Sequence, residues 1–256
     1  MEKPDVLSET INKQLPLKEE FIPHLAYDSV IFGFNGRQLK ILILEYHNTG
    51  LFALPGGFVR KDENVNDAVR RGLKERTGLK DIYLEQFYTF GDLSRYNPDV
   101  MRTIIEANGF ELKGGTHWML ERFVTIAYYA LINYSDVEPR PDELSDSINW
   151  YAIDDLPPLI LDHREIVGKA LATLRENLDR KLVGINLLPE KFTMKELQQV
   201  YEAVLGEKLG RSSFQRKMLS LDILERHEKL FSGKAHKAPY LYSFRQKGEH
   251  KLHIHA

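Results

Sequence analysis

Cysteine is absent from the 256 residues of this chain. Disulfide bonds and thiolate metal sites are therefore excluded, and the absence fits a protein of a reducing compartment. Long apolar runs are also missing, since no segment approaches the roughly 20 residues that cross a membrane as a helix. Residues 1–20 are polar and include Pro4 and Pro16, so we expect a loose arm and no signal peptide. These absences predict a cytoplasmic protein without a membrane partner.

Neither sign of charge is in large excess, because the formal net charge is -2, but the charges are unevenly distributed. Residues 208–247 hold ten basic and three acidic side chains, a net charge of +7, whereas residues 1–207 carry a net charge of -9. A basic end on an acidic body is typical of a protein that meets a polyanion through one part. A basic surface that contacts only solvent is the alternative interpretation.

The stretch from Gly56 to Leu79 contains the most specific pattern. A Pro-Gly-Gly turn ends an apolar run, Asp62 or Asn64 can cap the helix that follows, and Gly78 can end it. The spacing resembles the Nudix box, in which a glycine, five residues, a glutamate and seven residues precede Arg-Glu-aliphatic-x-Glu-Glu-x-Gly-aliphatic. The matching residues are Gly57, Glu63, Arg71, Leu73, Glu75, Gly78 and Leu79.

Two positions depart from this box. Nudix hydrolases hold a divalent metal on a diphosphate with three glutamates, and the resemblance assigns those positions to Gly72, Glu75 and Arg76. Such spacing focuses carboxylates on one face of a helix, but here that face has one carboxylate and a permanent cation. We therefore expect no catalytic residue, no metal and no cofactor. Residual metal binding through Glu75, Glu63 or Asp62 stays open, and a magnesium-dependent pyrophosphohydrolase is the alternative function.

Segments rich in β-branched and aromatic residues predict a sheet. Two of them flank Asn35-Gly36 and predict a hairpin. The long segment 93–121, which we call the excursion, contains a predicted helix and is a lid, a dimer contact or a tolerated surface loop. Strands with flanking helices predict an α+β protein with a Nudix-type α/β/α sandwich and a mixed sheet. The predicted strands are His24–Phe34, Gln38–Tyr46, Phe52–Phe58, Asp81–Gly91, Arg122–Ile132 and Ile148–Ile153, and the helix of the excursion is Asp99–Asn108.

The second half predicts a connecting helix and then a winged helix-turn-helix. Asp162 is the expected N-cap of a helix that reaches Arg180, and the apolar run Val183–Pro189 should be a packed connector. Thr193 opens a capping box for a helix ending at Leu205. Ser212 or Ser213 should cap a second, basic helix, and strands at Ile223–Phe231 and Tyr240–Arg245 should flank a basic wing.

This arrangement predicts binding to duplex DNA, with the basic helix in a major groove and the wing on the phosphate backbone. The candidate DNA contacts are Arg211, Ser212, Ser213, Gln215, Arg216, Lys217, Lys234, His236 and Lys237. We divide the chain into an N-terminal arm (1–20), a Nudix-like effector domain (21–160), a connecting helix and linker (161–187), the winged helix domain (188–248) and a tail (249–256).

A degenerate Nudix domain followed by a winged helix resembles the NrtR family of transcriptional regulators, and within it the sugar-responsive AraR-like branch. Stretches that carry the resemblance include Val30-Ile-Phe-Gly-Phe, Pro55-Gly-Gly-Phe-Val and Gly184-Ile-Asn-Leu-Leu-Pro. It implies a homodimer that binds a palindromic operator and responds to a small effector in the Nudix pocket. A pentose such as L-arabinose is favoured, and an ADP-ribose-like nucleotide is second.

Four polar residues are candidate effector contacts, since carboxylates and guanidinium groups together suit the hydroxyls of a sugar. They are Asp28, Arg60, Asp92 and Arg122. A nucleotide would instead need aromatic stacking and cations, which Tyr27, Arg95 or Trp118 could supply.

Overall fold

The computed structural model describes residues 17–78, 82–110, 112, 117–142, 144–179, 184–230 and 238–245. A seven-stranded sheet and a three-stranded sheet organise them. The strands are β1 (Phe21–Phe34), β2 (Leu39–Tyr46), β3 (Phe52–Ala53), β4 (Gly56–Arg60), β5 (Tyr83–Phe90), β6 (Val124–Asn133), β7 (Ser145–Ala152), β8 (Phe192–Thr193), β9 (Leu224–Lys229) and β10 (Tyr240–Phe244). The helices are α1 (Val65–Thr77), α2 (Pro98–Ala107), α3 (His163–Asn177), α4 (Gly184–Leu187), α5 (Met194–Leu205) and α6 (Arg211–Ser220).

The large sheet is mixed, as predicted. Its central order is β3-β2-β1-β6-β5, with β1 parallel to β6 and antiparallel to β2. The predicted hairpin is confirmed by the pairing of Phe32 with Ile41. The prediction of a single strand over Phe52–Phe58 is wrong, because this segment forms two short strands. The first, β3, pairs with β2, and the second, β4, pairs with β1. Pro55 lies between the two short strands and has no N–H group to continue a ladder.

Helices cover both faces of this sheet. Alternate residues of β1 point to opposite sides, so Val30 and Phe32 pack towards α3 whereas Ile31 packs towards α1. The cluster around Val30 continues into the winged helix, where it includes Leu197 and Val200 of α5. The connector residues Leu187 and Leu188 are buried in the same cluster. The expectation of a packed connector is therefore confirmed for its described part.

The winged helix consists of α5, α6 and the sheet β8-β10-β9. The capping box is confirmed, since the Thr193 hydroxyl accepts from the Glu196 N–H and the Glu196 carboxylate accepts from the Thr193 N–H. The expected caps of α6 are wrong. The N-cap is Gly210, and the Ser213 hydroxyl donates to its carbonyl from within the first turn. Lys234, His236 and Lys237 of the predicted wing lie outside the described residues.

The excursion folds back onto the large sheet. Its described residues contain α2, which begins at Pro98, one residue before the predicted start, with Asn97 as N-cap, and two short 3₁₀ turns. The ring of Trp118 stacks on that of Phe21 with 5.7 Å between their centroids, and its centroid lies 4.7 Å from that of the Phe58 ring. This cluster holds the excursion against β1 and β4. Among the helices in the described parts of the chain, none has the length and apolar character needed to span a membrane.

Candidate functional site

A cavity of about 660 Å³ lies where β1, β4, α1 and the excursion meet. Its size falls within the range of small-ligand sites. Each surrounding element contributes a side chain that can bind a ligand. They are Asp28 from β1, Arg60 from β4, Arg76 from α1, Arg95 from the excursion and His163 from α3. The excursion is therefore a wall of the cavity.

The face of α1 that carries metal ligands in Nudix hydrolases is closed to a carboxylate at Gly72. A Cβ atom at this position would lie 2.2 Å from the hydroxyl oxygen of Tyr27, and one at Gly57 would lie 2.7 Å from the same atom. Tyr27 is buried, and burial raises the pKa of its phenol, so the hydroxyl stays protonated. The tyrosine therefore fills the space that a glutamate at position 72 would need.

Arg76 fills the remaining part of this face. Its guanidinium donates to the Gly72 carbonyl at 3.3 Å, to the Gly56 carbonyl at 3.0 Å and to Asp142 Oδ2 at 2.6 Å. Only 9% of the side chain is exposed, and a buried cation requires such partners. Asp142 is itself held by N–H and hydroxyl donors from the two residues Leu144 and Ser145. The part of the chain that the structure describes contains no group of three potential metal ligands, and a permanent cation occupies this face of α1.

The other box residues bind one another. Glu63 accepts two hydrogen bonds from Arg71, at 2.7 and 3.1 Å, and a third from the Arg60 N–H at 2.9 Å. The hydrogen bond from Arg71 is the main reason that the pKa of Glu63 is lowered. Glu75 is more than half exposed and lies 3.7 Å from Arg71. These contacts tie the loop after β4 to α1 and leave Glu63 committed to a structural pair.

A buried charge cluster forms another wall of the cavity. Arg95 Nε donates to Asp162 Oδ2 at 3.0 Å, and its other nitrogens donate to the Phe123 carbonyl at 3.2 Å and to Asp28 Oδ2 at 3.5 Å. His163 accepts a hydrogen bond at Nδ1 from the Leu54 N–H at 3.0 Å. Burial lowers the pKa of His163, so its ring is neutral.

Asp162 departs from its expected role. It stands at the N-cap position of α3, but its side chain caps no helical N–H group. One carboxylate oxygen binds Arg95, and the other is buried without a hydrogen-bond partner among the described residues. The backbone of Asp162, with φ -95° and ψ 14°, lies outside the extended region from which an N-cap side chain reaches the first N–H groups of a helix, which explains why it caps none.

The predicted effector residues separate into two groups. Asp28 and Arg60 line the cavity, whereas Asp92 and Arg122 lie outside its lining. Asp92 is exposed, and Arg122 donates to the Gly91 carbonyl, which ties the end of β5 to the start of β6. Trp118 is buried in the aromatic cluster and does not line the cavity, whereas Tyr27 and Arg95 do.

Sequence reasoning missed the site roles of three residues. Asp142 and Asp162 bind the two buried arginines, and His163 lies beside Asp28 with 3.7 Å between His163 Nε2 and Asp28 Oδ1. The available signal was Leu161-Asp-His, an ionisable pair that directly follows an apolar segment. That signal does not reveal the partners.

Helix α3 links the cavity to the winged helix. It begins at His163 in the cavity wall, and Arg175 near its end donates to the Val204 carbonyl at the end of α5 at 2.7 Å. Two residues beyond α3, Asp179 accepts from Lys217 of α6 at 2.6 Å. The same α6 exposes most of its predicted DNA contacts. Arg211, Ser212, Ser213, Arg216 and Lys217 are exposed, and Gln215 is half-buried.

Comparison with known proteins identifies both parts. Residues 22–174 match the NUDIX domain family, and residues 184–244 match the NrtR DNA-binding winged helix domain. The ADPR responsive transcriptional repressor NtrR of Acinetobacter baylyi is 30% identical over 210 residues, covering 79% of this chain and 75% of that protein. An ADP-ribose pyrophosphatase of Methanocaldococcus jannaschii is 42% identical over 151 residues, covering 57% of this chain and 71% of that protein.

Solved structures give the same result. The crystal structure of Shewanella oneidensis NrtR has a TM-score of 0.65 and 28% identity, and covers 87% of this chain and 94% of that chain. The structure of that protein complexed with a 27mer DNA also has a TM-score of 0.65, with 27% identity, covering 86% and 93%. The predicted fold class and the predicted family are thereby confirmed, while the AraR-like branch gains no support from these relatives. The chain belongs to the NrtR family, in which a Nudix domain is joined to a DNA-binding winged helix domain.

Proposed function

We propose that this protein is a transcriptional repressor whose winged helix binds duplex DNA and whose Nudix-type cavity binds the effector that controls it. One observation carries the proposal: a ligand-sized cavity and an exposed basic helix are joined by α3 through direct contacts at both ends. The repressor relative and the DNA complex of a similar structure support the same conclusion.

The DNA-binding element in this proposal is α6. Arg211 and Arg216 lie on its exposed surface, and Phe214 and Met218 anchor its opposite face in the core. A recognition helix of a helix-turn-helix is presented to the major groove in this way. Lys217 is already paired with Asp179, so we assign base and phosphate contacts first to the two arginines.

The effector that we favour is ADP-ribose. The names of two relatives refer to this compound, whereas none of these relatives supports a pentose. The cavity offers guanidinium groups at Arg60 and Arg76 for the diphosphate, the carboxylate of Asp28 for ribose hydroxyls, and the rings of Phe58 and Tyr96 for the base. Guanidinium groups match the geometry of phosphate oxygens, which a bare pentose lacks.

Control would run through α3. A ligand that binds Asp28 or Arg95 changes the group that holds Asp162 at the start of this helix. The far end of α3 is bound to α5 and α6 through Arg175 and Asp179. The effector can shift DNA binding only by its different affinity for the two arrangements. We further propose a homodimer on a palindromic operator, since winged helix dimers match the symmetry of their DNA sites, and a cytoplasmic location.

Fluorescence anisotropy with duplex DNA from the region upstream of the gene tests DNA binding. We expect affinity that falls steeply with salt and that is about tenfold weaker in Arg216→Ala. Arg70→Ala is the matched control, because Arg70 is equally a helix-surface arginine but lies on α1. Equal losses in the two variants would refute the assignment of α6.

The same assay tests the effector. ADP-ribose should change the DNA affinity, whereas L-arabinose should leave it unchanged. The opposite result would make a pentose the favoured effector. If neither compound changes the DNA affinity, the coupling between the cavity and the winged helix is refuted.

The alternative function is pyrophosphohydrolysis of nucleoside diphosphate derivatives, which the similarity to an ADP-ribose pyrophosphatase favours. Gly72 and Arg76 oppose it, because two of the three metal-binding carboxylates are missing from the face of α1 and hydrolases of this kind need the metal to activate water. We expect no turnover of ADP-ribose with magnesium or manganese. Turnover that Glu75→Gln abolishes would establish the hydrolase instead.

A further inference from the structure

We propose that Arg76, held in place by Asp142, is a built-in substitute for the divalent metal of the Nudix box, so that the effector's diphosphate binds without a metal ion. This inference rests on the proposed effector function and adds to it the way in which the diphosphate is recognised. It concerns one end of the cavity, formed by Tyr27, Gly56, Arg76 and Asp142, with Gly72 next to Tyr27 and Arg76.

The first argument is steric. A metal site of the box type needs carboxylates at positions 72 and 76. Tyr27 occupies the space next to Gly72, where a Cβ atom would lie only 2.2 Å from its hydroxyl oxygen. The guanidinium of Arg76 lies against the same turn of α1, bonded to the Gly72 carbonyl. The positions that two of the box carboxylates would take are therefore occupied by Tyr27 and Arg76.

The second argument is electrostatic. Glutamates at positions 72 and 76 would add one negative charge at Gly72 and replace one positive charge by one negative charge at Arg76. The two departures therefore leave this face three charges more positive than the box pattern would. The carboxylate of Asp142, paired with Arg76, offsets one of these three charges, and the remaining two equal the charge of a divalent ion. The charge that a diphosphate needs is consequently built into the covalent structure.

The third argument concerns the unused donors of Arg76. A guanidinium has five N–H groups, and Arg76 uses three of them on the Gly72, Gly56 and Asp142 oxygens. Its Nε is buried and has no hydrogen-bond partner within the described residues. The second N–H group of Nη1 is also left over from these three bonds, and we assign it to the ligand, because a donor left without a partner beside a cavity gains free energy when an acceptor arrives. Phosphate oxygens are acceptors of this kind.

The fourth argument is pre-organisation. Asp142 and the two carbonyl groups hold the guanidinium between β4 and α1, and Asp142 is fixed in turn by the Leu144 N–H and the Ser145 hydroxyl. Arg60, at the other end of β4, is exposed, lines the same cavity and can add a second cation. A fixed cation loses little conformational entropy when the ligand arrives.

Isothermal titration of the full chain with ADP-ribose, once in EDTA and once with magnesium, tests the inference. We expect dissociation constants that agree within about twofold, and binding about tenfold or more weaker in Arg76→Gln. Arg70→Gln is the control, because the same change is made on the same helix at an exposed residue outside the cavity. A thermal melt of each variant checks that it is folded.

Each outcome separates the two proposals. The inference is supported if EDTA leaves binding unaffected, Arg76→Gln weakens it and the control Arg70→Gln does not. Binding that requires magnesium overturns the inference and leaves ADP-ribose as the effector. If binding needs no metal and a folded Arg76→Gln variant binds ADP-ribose as tightly as the unchanged chain, the role of Arg76 is overturned. The absence of ADP-ribose binding under both conditions overturns the proposed effector, and the inference with it. The comparison in EDTA needs no variant, so it decides even if Arg76→Gln fails to fold.

Discussion

Replacing Arg95 by methionine should destabilise the Nudix-type domain strongly. Arg95 is 6% exposed, and its partners Asp28 and Asp162 are 10% and 11% exposed. Methionine removes the cation and leaves two buried carboxylates without their guanidinium partner. Breaking a buried ion pair on one side costs about 3–5 kcal/mol. With a shift of about 2–4 °C per kcal/mol for a domain of this size, the melting temperature should fall by roughly 6–20 °C.

Urea unfolding followed by tryptophan fluorescence measures this loss selectively. The chain has two tryptophans, Trp118 and Trp150, and both lie in the Nudix-type domain. Arg102→Met is the matched control, since Arg102 belongs to the same excursion but forms an exposed pair with Asp99 at 3.9 Å. We expect the control to lose less than about 1 kcal/mol.

A second variant tests the cause. Adding Asp162→Asn to Arg95→Met removes one of the two uncompensated charges and should restore part of the lost stability. The reasoning is refuted if Arg95→Met loses no more than Arg102→Met, or if the added substitution only deepens the loss.

Three further predictions concern other parts of the molecule. Thr193→Ala removes the capping box of α5 and should cost about 0.5–2 kcal/mol, seen as an earlier loss of helical circular dichroism. Burial lowers the pKa of His163 below its ordinary value of 6.5, so the unfolded chain binds a proton first as the pH falls. Stability should therefore decrease below about pH 6.5, by at most about 1.4 kcal/mol per pH unit, and His163→Asn should flatten this decrease. Asp179→Asn frees Lys217 to bind a DNA phosphate, so the salt dependence of DNA binding should steepen by the amount expected for about one added phosphate contact. The control Glu176→Gln makes the same change in charge on α3 and should leave the salt dependence unchanged.

Local features of the fold could be predicted from the sequence, because each depends on residues close together in the chain. Asn35-Gly36 predicted the hairpin of β1 and β2, and Gly78 predicted the left-handed end of α1. Thr193 and Glu196, three residues apart, predicted the start of α5. The departures from the Nudix box were equally visible, since they are substitutions at fixed positions in a known pattern.

The candidate site could be predicted only in part. Asp28 and Arg60 were expected at the cavity and line it, while Asp92 and Arg122 belong to strand ends outside it. Polar residues at strand ends look alike in sequence. Which of them faces a cavity depends on how the excursion packs across the sheet, and that packing follows from its contacts with Phe21 and neighbouring rings.

By itself, the sequence determined the order of the elements, the basic character of residues 208–247 and the absence of carboxylates at two positions of the Nudix box. Only the tertiary structure decided what replaced them. Arg76 meets Asp142 across 66 residues, and Arg95 meets both Asp28 and Asp162 across 67 residues in either direction. Such pairs have no periodicity and no fixed spacing. They exist because burying a guanidinium is tolerable only where the folded chain brings a carboxylate to it, which is a property of the packed core and not of any single segment.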